Sequence, residues 1–355
     1  MATRLRRAAP AWRRGEGVSR WPQRDPVRRL AIVGGGAWGT ALAMVAHRAG
    51  SLPILWARDP VVVAEINQRH QNPLFLPGVS LDPALTATAD LGFATEGAEA
   101  ALLVVPAQFL RGVLSVLGPS LAHGTPLLLC AKGVETSTLK TMSEVAAEIL
   151  PASPSAVLSG PTFAAEVARE LPTAVTIASA DASLGRAFMK AIGSRRFRPY
   201  LSEDPIGAEI GGAAKNVLAI ACGIVIGRGL GDNARASLIT RGLAEIIRLG
   251  VAKGGRAETF RGLSGLGDIV LTCSSLQSRN YGLGIALGRG QPLEAALRGR
   301  RSVVEGVATA AAVARLAERL GVEMPISSGV DALLHRGESV DAAIDLLLRR
   351  PYRAE

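Results

Sequence analysis

From Leu30 to about Tyr200, short apolar runs of β-rich composition alternate with amphipathic stretches of helical period. The pattern predicts strands at 30–33, 53–57, 85–88, 101–105, 126–131, 155–158, 173–178 and 197–201. Helical stretches at 39–49, 60–70, 107–117, 138–149 and 181–191 lie between several of them. Runs such as Ala101-Leu102-Leu103-Val104-Val105 and Leu127-Leu128-Leu129-Cys130 have no polar side, which suits strands covered on both faces. Strands of that kind separated by helices predict an α/β, doubly wound sheet with helices on either side.

After Ser202 the strand pattern stops. Residues 204–349 read as successive helices, with stops at Gly227-Arg228-Gly229, Gly254-Gly255, Gly288-Arg289-Gly290 and Gly321. The last two carry clean stripes: Val307, Val313, Leu316 and Leu320, then Val340, Ala343, Ile344 and Leu347. No fixed-period repeat is present. The expected organisation is an extension over residues 1–28, an α/β domain over 29–203 and an all-helical domain over 204–355.

Length and charge add limits to this picture. A chain of 355 residues is long enough for two domains, each with its own core. Its net charge of +10 looks like a nucleic-acid signal, but residues 1–29 hold nine arginines against two acids, and so +7 of the total. The body is nearly balanced, and no nucleic-acid partner is expected. The arginine-rich arm has no helical or strand period and too little apolar surface to fold, so a disordered tail or an over-long predicted start is expected; its scarcity of acids also resembles a transit peptide, and its charge also suits polyanions.

Three widely spaced cysteines (Cys130, Cys222, Cys273) give no disulfide framework, and a reducing cytoplasm is the expected location. The four histidines form no metal-ligand pattern, and no metal is expected. Two apolar stretches approach membrane length, but Lys215-Asn216 breaks one and Gly-Pro near 118–126 breaks the other, so no membrane span is expected.

The first chemical motif is Gly34-Gly35-Gly36-Ala37-Trp38-Gly39, which follows the strand at 30–33 and opens a helix. Gly34 and Gly36 permit a tight turn and close approach of a pyrophosphate, and Gly39 lets helix and strand pack. The helix start offers unpaired amides to the anion. Gly-rich turns alone are common, but this context reads as a Rossmann-like dinucleotide site. The second strand ends in Arg58-Asp59. Arg58 suits a 2′-phosphate and Asp59 a ribose, unless Asp59-Pro60 merely starts a helix. The reading favours NADP(H) and leaves NAD(H) open.

The second motif lies in Ile210–Gly227, eighteen residues whose one charge is Lys215. On so apolar a segment the ammonium loses hydration, so it is either paired or used as a proton donor and acceptor. A surface lysine with a snorkelling stem is the plainer alternative. Lys132 follows a buried strand, at the end where open α/β sheets bind ligands. Ser159-Gly160-Pro161-Thr162-Phe163 is another strand-to-helix turn with spare amides. Asp268 stands alone in an apolar run and calls for a cation, and Ser278-Arg279-Asn280 offers a donor fork with two neutral hydrogen-bonders. Each also has a plain reading: a surface turn, a helix cap, the first turn of a helix.

Six ordered segments tie these features together: Gly-Gly-Gly-Ala-Trp-Gly-Thr-Ala-Leu-Ala (34–43), Leu-Ser-Gly-Pro-Thr-Phe-Ala-Ala-Glu-Val-Ala (158–168), Gly-Gly-Ala-Ala-Lys-Asn-Val (211–217), Leu-Ile-Thr-Arg-Gly-Leu-Ala-Glu (238–245), Gly-Leu-Gly-Asp (265–268) and Ser-Arg-Asn (278–280). From about Leu30 to Arg336 the chain resembles bacterial NAD(P)-dependent glycerol-3-phosphate dehydrogenases. The resemblance implies reversible reduction of dihydroxyacetone phosphate to sn-glycerol 3-phosphate, feeding glycerophospholipid synthesis, by an expected homodimer. It implies Lys215 as the proton-transfer residue, with Lys132, Gly160, Thr162, Asp268, Ser278, Arg279 and Asn280 around a phosphorylated substrate. It implies cofactor contacts from Trp38, Arg58, Lys132, Ala164, Arg279, Val303 and Glu305, besides the glycine turn. Ala37 replaces a serine often found in the family, which removes one cofactor hydrogen bond.

Two rivals stand beside this. One is a related two-domain reductase of a hydroxy or keto acid; Ser278-Arg279-Asn280 with Lys132 suits a phosphate better than a carboxylate alone. The other is a cofactor-binding sensor without chemistry, against which Lys215 and Asp268 together speak.

Overall fold

A computed structural model of the chain describes residues 27–300 and 302–349. The expected extension therefore lies almost wholly outside the described residues. Its last two members do not: Val27 is buried, and the Arg28 amide donates to Glu99 Oε2 at 2.6 Å. The packed body thus reaches back to Val27, because Ser51 Oγ and the Leu52 amide take the carbonyls of Val27 and Arg28.

The first half runs β1 (Arg29–Val33), α1 (Ala37–Arg48), β2 (Leu52–Trp56), α2 (Pro60–Arg69), β3 (Gln71–Asn72), β4 (Leu76–Ser80), β5 (Thr86–Thr88), α3 (Leu91–Thr95), β6 (Ala100–Leu103), α4 (Leu110–Leu117), β7 (Leu127–Leu129), α5 (Met142–Ile149), β8 (Ser155–Ser159), α6 (Ala164–Ala168), β9 (Thr173–Ala178), α7 (Ala182–Ile192) and β10 (Phe197–Ser202). Eight strands form one sheet in the order β10-β9-β8-β7-β6-β1-β2-β5. All neighbours are parallel except β8 and β9. The period of two explains the unbroken apolar runs. In β1, Leu30 and Ile32 enter one core with α1 and α7, while Ala31 and Val33 enter a second with α4 and α5.

The hairpin β3–β4 and the short helix α3 have no counterpart in the sequence reading, and α6 is foreshadowed only as the helix after the 159–163 turn. Their apolar positions are too few to show a period.

The second half is helical: α8 (Pro205–Gly227), α9 (Gly231–Lys253), α10 (Asp268–Ser274), α11 (Arg279–Gly288), α12 (Leu293–Leu297), α13 (Glu305–Leu320), α14 (Pro325–His335) and α15 (Val340–Leu348). Asp204 caps α8 by accepting from the Gly207 amide at 2.9 Å. Helix α8 is long and apolar enough to cross a membrane, but 89% of its apolar window is buried inside this protein, as the core of the helical half. It packs on α11 through glycines. A Cβ at Gly223 would stand 2.2 Å from Tyr281 O, and one at Gly284 2.1 Å from Ile220 O. Only bare Cα atoms allow so close a crossing, and it fixes residues 279–280 against 215–216.

Candidate functional site

At the first turn, Gly34 has φ +132° and a Cβ there would meet Val104 O at 2.6 Å, so the backbone itself demands glycine. A Cβ at Gly39 would fall on Gly34 O, which is why helix and strand close as they do. At Gly36 none of the described residues lies within 4 Å of such a Cβ, so the requirement there is room above the turn. Among the described residues no side chain caps α1, and the amides of its first turn point into that room. These features fit a dinucleotide pyrophosphate. Trp38 stands beside the turn, its ring 6.5 Å from that of Phe197. At the end of β2, Asp59 is spent as the cap of α2, accepting from the Val61 amide at 2.9 Å. Arg58 is exposed and makes no hydrogen bond or ion pair among the described residues. Of the two strand-end candidates, only the arginine is free.

The second centre joins the halves. Lys215, on α8, is only 6% exposed and donates to Asp268 Oδ1 and, at 2.9 Å, to Thr272 Oγ1. Lys132, three residues past β7, donates to Asp268 Oδ2 at 2.8 Å and to Gly160 O at 3.1 Å. One fully buried carboxylate thus holds two ammonium groups from different domains. A π-helical turn at Leu263–Gly267 delivers Asp268 to this position. Burial pushes Lys215 down to about 8; Asp268 opposes the shift and Lys132 adds to it. Burial works to raise Asp268, but the two ammonium charges outweigh it and keep its pKa below the ordinary aspartate value. The cluster carries one net positive charge, which suits an anionic substrate or a developing oxyanion.

Gly160, at φ +140°, and Thr162, whose hydroxyl donates to Gly160 O at 3.4 Å, form the turn beside Lys132. Ala164 opens α6 from this turn. The segment 278–280 is less uniform than expected. Ser278 caps α11, accepting from the Tyr281 amide at 3.2 Å. Asn280 donates to Asn216 Oδ1 and accepts from the Gly306 amide, both at 2.9 Å, so it locks α11, α8 and α13 together. Arg279 alone has an exposed side chain with no hydrogen-bond partner among the described residues. Glu305, at the start of α13, accepts weakly from the Ala107 amide at 3.4 Å, and its Oε2 is buried with no partner among the described residues. Burial raises its pKa to about 7 against the pull of that amide and Arg279. Val303 is exposed nearby in the chain. Thr272 was not among the expected site residues; its place four after Asp268, on the same helical face, is the signal that marks it.

Comparison with known proteins fits this geometry. Residues 29–185 match the family model for the NAD-dependent glycerol-3-phosphate dehydrogenase N-terminus, and residues 204–345 match that for its C-terminus. The chain belongs to the NAD-dependent glycerol-3-phosphate dehydrogenase family. Among family members, the glycerol-3-phosphate dehydrogenase (NAD(P)+) of Rhodospirillum rubrum is 59% identical over 93% of this chain and 94% of its own. That of Parvibaculum lavamentivorans is 56% identical over 92% of this chain and 98% of its own. A crystal structure of the Coxiella burnetii glycerol-3-phosphate dehydrogenase is 40% identical, with a TM-score of 0.88, over 92% of this chain and all of that one. A ketopantoate reductase family member from Ralstonia eutropha, at 19% identity and TM-score 0.56, shares the fold alone.

Proposed function

We propose that the protein reversibly reduces dihydroxyacetone phosphate to sn-glycerol 3-phosphate with NADPH or NADH, Lys215 serving as proton donor and acceptor. The observation that carries this reading is the Lys215–Asp268–Lys132 cluster at the domain junction. The chemistry the bound nicotinamide supplies is the hydride that reaches the carbonyl carbon. As negative charge grows on the carbonyl oxygen, the Lys215 ammonium stabilises it and hands over a proton. A pKa of about 8 suits both directions, because either protonation state is accessible near neutral pH. Asp268 keeps the ammonium present despite burial, and Thr272 fixes its direction.

Arg279 reaches the substrate phosphate and Lys132 lends a second charge, so binding is converted into orientation of the reacting carbon. Ser278 keeps its own hydroxyl proton to donate, while Asn280 acts by holding Asn216 and Gly306 in place. On the cofactor side, the α1 amides take the pyrophosphate, and the unpaired Glu305 Oε2 suits a cofactor hydroxyl or amide. Arg58, free where Asp59 is not, favours NADPH over NADH. A cytoplasmic homodimer supplying glycerophospholipid synthesis completes this reading, on the strength of family membership.

The test is oxidation of NADPH on adding dihydroxyacetone phosphate, with Lys215→Ala alongside; a variant as fast as wild type removes the mechanism. For the cofactor, Arg58→Ala should lower the NADPH-to-NADH ratio of kcat/KM by about tenfold or more, the worth of one charge-assisted contact. An unchanged ratio takes Arg58 out of the site.

A further inference from the structure

The two halves of the protein are tied at a second point that the reaction does not use directly. Glu209 lies on α8, six residues before Lys215, and is only 5% exposed. Its Oε1 accepts from the Ser143 amide at 2.7 Å and its Oε2 from the Ser143 hydroxyl at 2.5 Å. Ser143 sits in the first turn of α5, in the other domain, where the helix dipole favours a negative charge. The Thr141 hydroxyl lies 3.1 Å from that of Ser143, and Thr141 pairs with Val134 in an antiparallel bridge. Val134 is two residues from Lys132. Thus the segment 132–143 and the helix stretch 209–215 are joined twice: once through Asp268, which holds Lys132 and Lys215, and once through Glu209 and Ser143.

A carboxylate is a costly way to close an interface between domains, since a neutral side chain would avoid its desolvation. What it adds is direction, because two bonds to a single residue fix both the rotation of α8 and its distance from α5. Gly212, one turn after Glu209, would place a Cβ 2.9 Å from Ser159 Oγ and 3.6 Å from Lys132 Cγ. This face of α8 therefore lies directly against the lysine of the other domain, and a small rotation there alters the spacing of Lys132 and Lys215.

We propose that Glu209 is a positioning residue of the reductase reaction: its carboxylate latches α8 onto the start of α5 and so sets the spacing of Lys132 and Lys215. The inference rests on the functional reading given above. Burial holds the Glu209 carboxyl up at about 7, against the bonds from Ser143 and Thr141 and with the help of Glu144. The charged group facing it is Glu144 on α5, which is itself paired with Lys253 of α9 at 2.7 Å. As pH falls through about 7, Glu209 takes up a proton, its charge on the α5 terminus is lost and the latch loosens.

The experiment compares wild type, Glu209→Gln and Ser143→Ala in the full chain, with dihydroxyacetone phosphate as substrate. It reads kcat against pH, KM for NADPH and Tm. Glu209→Gln is expected to lower kcat at pH 7.5 by about tenfold, one charge-assisted bond's worth, with KM for NADPH within about twofold. It should also lose the fall in kcat below about pH 7. That loss separates Glu209 from Glu305, whose carboxyl also sits near 7. Ser143→Ala, which keeps the carboxylate, should lower kcat by a smaller factor and retain the acid limb. An unchanged kcat and pH profile in Glu209→Gln overturns the proposal, as does a loss confined to KM for NADPH or to Tm. If Glu209→Gln does not fold, an unchanged kcat per folded Ser143→Ala protein overturns it instead. An inactive wild type defeats the functional reading itself, whereas an active wild type with an unaltered glutamine variant defeats only the latch.

Discussion

The lysine cluster and the segment 278–280 are both candidate anion sites, yet they are built on opposite plans. In the cluster every group is already engaged: Lys215, Lys132 and Asp268 hold one another in a buried, net-positive knot before any substrate arrives. In the segment, two of three residues are given to the protein itself, Ser278 as a cap and Asn280 as a clasp on Asn216 and Gly306. Only Arg279 is left exposed and without a hydrogen-bond partner among the described residues. The contrast separates two tasks. A group that moves a proton must be fixed and electrostatically tuned, and burial does both. A group that captures a phosphate needs reach, and a free guanidinium on a rigid helix end has it.

Substitutions can break this comparison. The largest expected effect is at Lys215, where alanine removes the proposed proton donor and leaves Asp268 with one counter-charge in a buried site. Turnover should fall by about 10²- to 10⁴-fold with the fold intact by circular dichroism. Next comes Arg279→Ala, which should raise KM for dihydroxyacetone phosphate by about 10- to 100-fold, the worth of a charge-assisted contact, with little change in Tm. Asn280→Ala should do the reverse. It orphans the Gly306 amide and the Asn216 side chain, so stability should drop by about 1–3 kcal/mol while KM moves less than for Arg279. Equal effects on KM at 279 and 280 would dissolve the distinction between ligand and scaffold.

What could be read from the chain follows the same division. The sheet was legible because β6 and β7 are apolar on every residue and β1 on all but Arg29, and the glycine turn was legible because backbone geometry dictates residue type there. The helix ends before Gly229, Gly254, Gly290 and Gly321 were legible for the same reason, since each of these glycines has a left-handed φ. Lys215 stood out as a lone charge in an apolar run. Its partners did not: Asp268 lies 53 residues away and is delivered by a π-helical turn that has no sequence signature. The antiparallel placing of β9 against β8 was equally hidden, since a buried strand reads the same in either direction. The structural roles of Ser278 and Asn280 were hidden because a cap, a clasp and a phosphate ligand call for the same polar side chains, and only the contacts of the folded chain reveal the first two.

The pH dependence of kcat/KM, measured in both directions, tests the central claim most directly. In the proposed mechanism reduction needs Lys215 protonated and oxidation needs it neutral, so with a pKa of about 8 the two profiles should cross. Reduction is expected to fall as pH rises through about 8, and oxidation to rise over the same interval. Profiles that run in parallel across this interval would contradict Lys215 as the proton donor and acceptor.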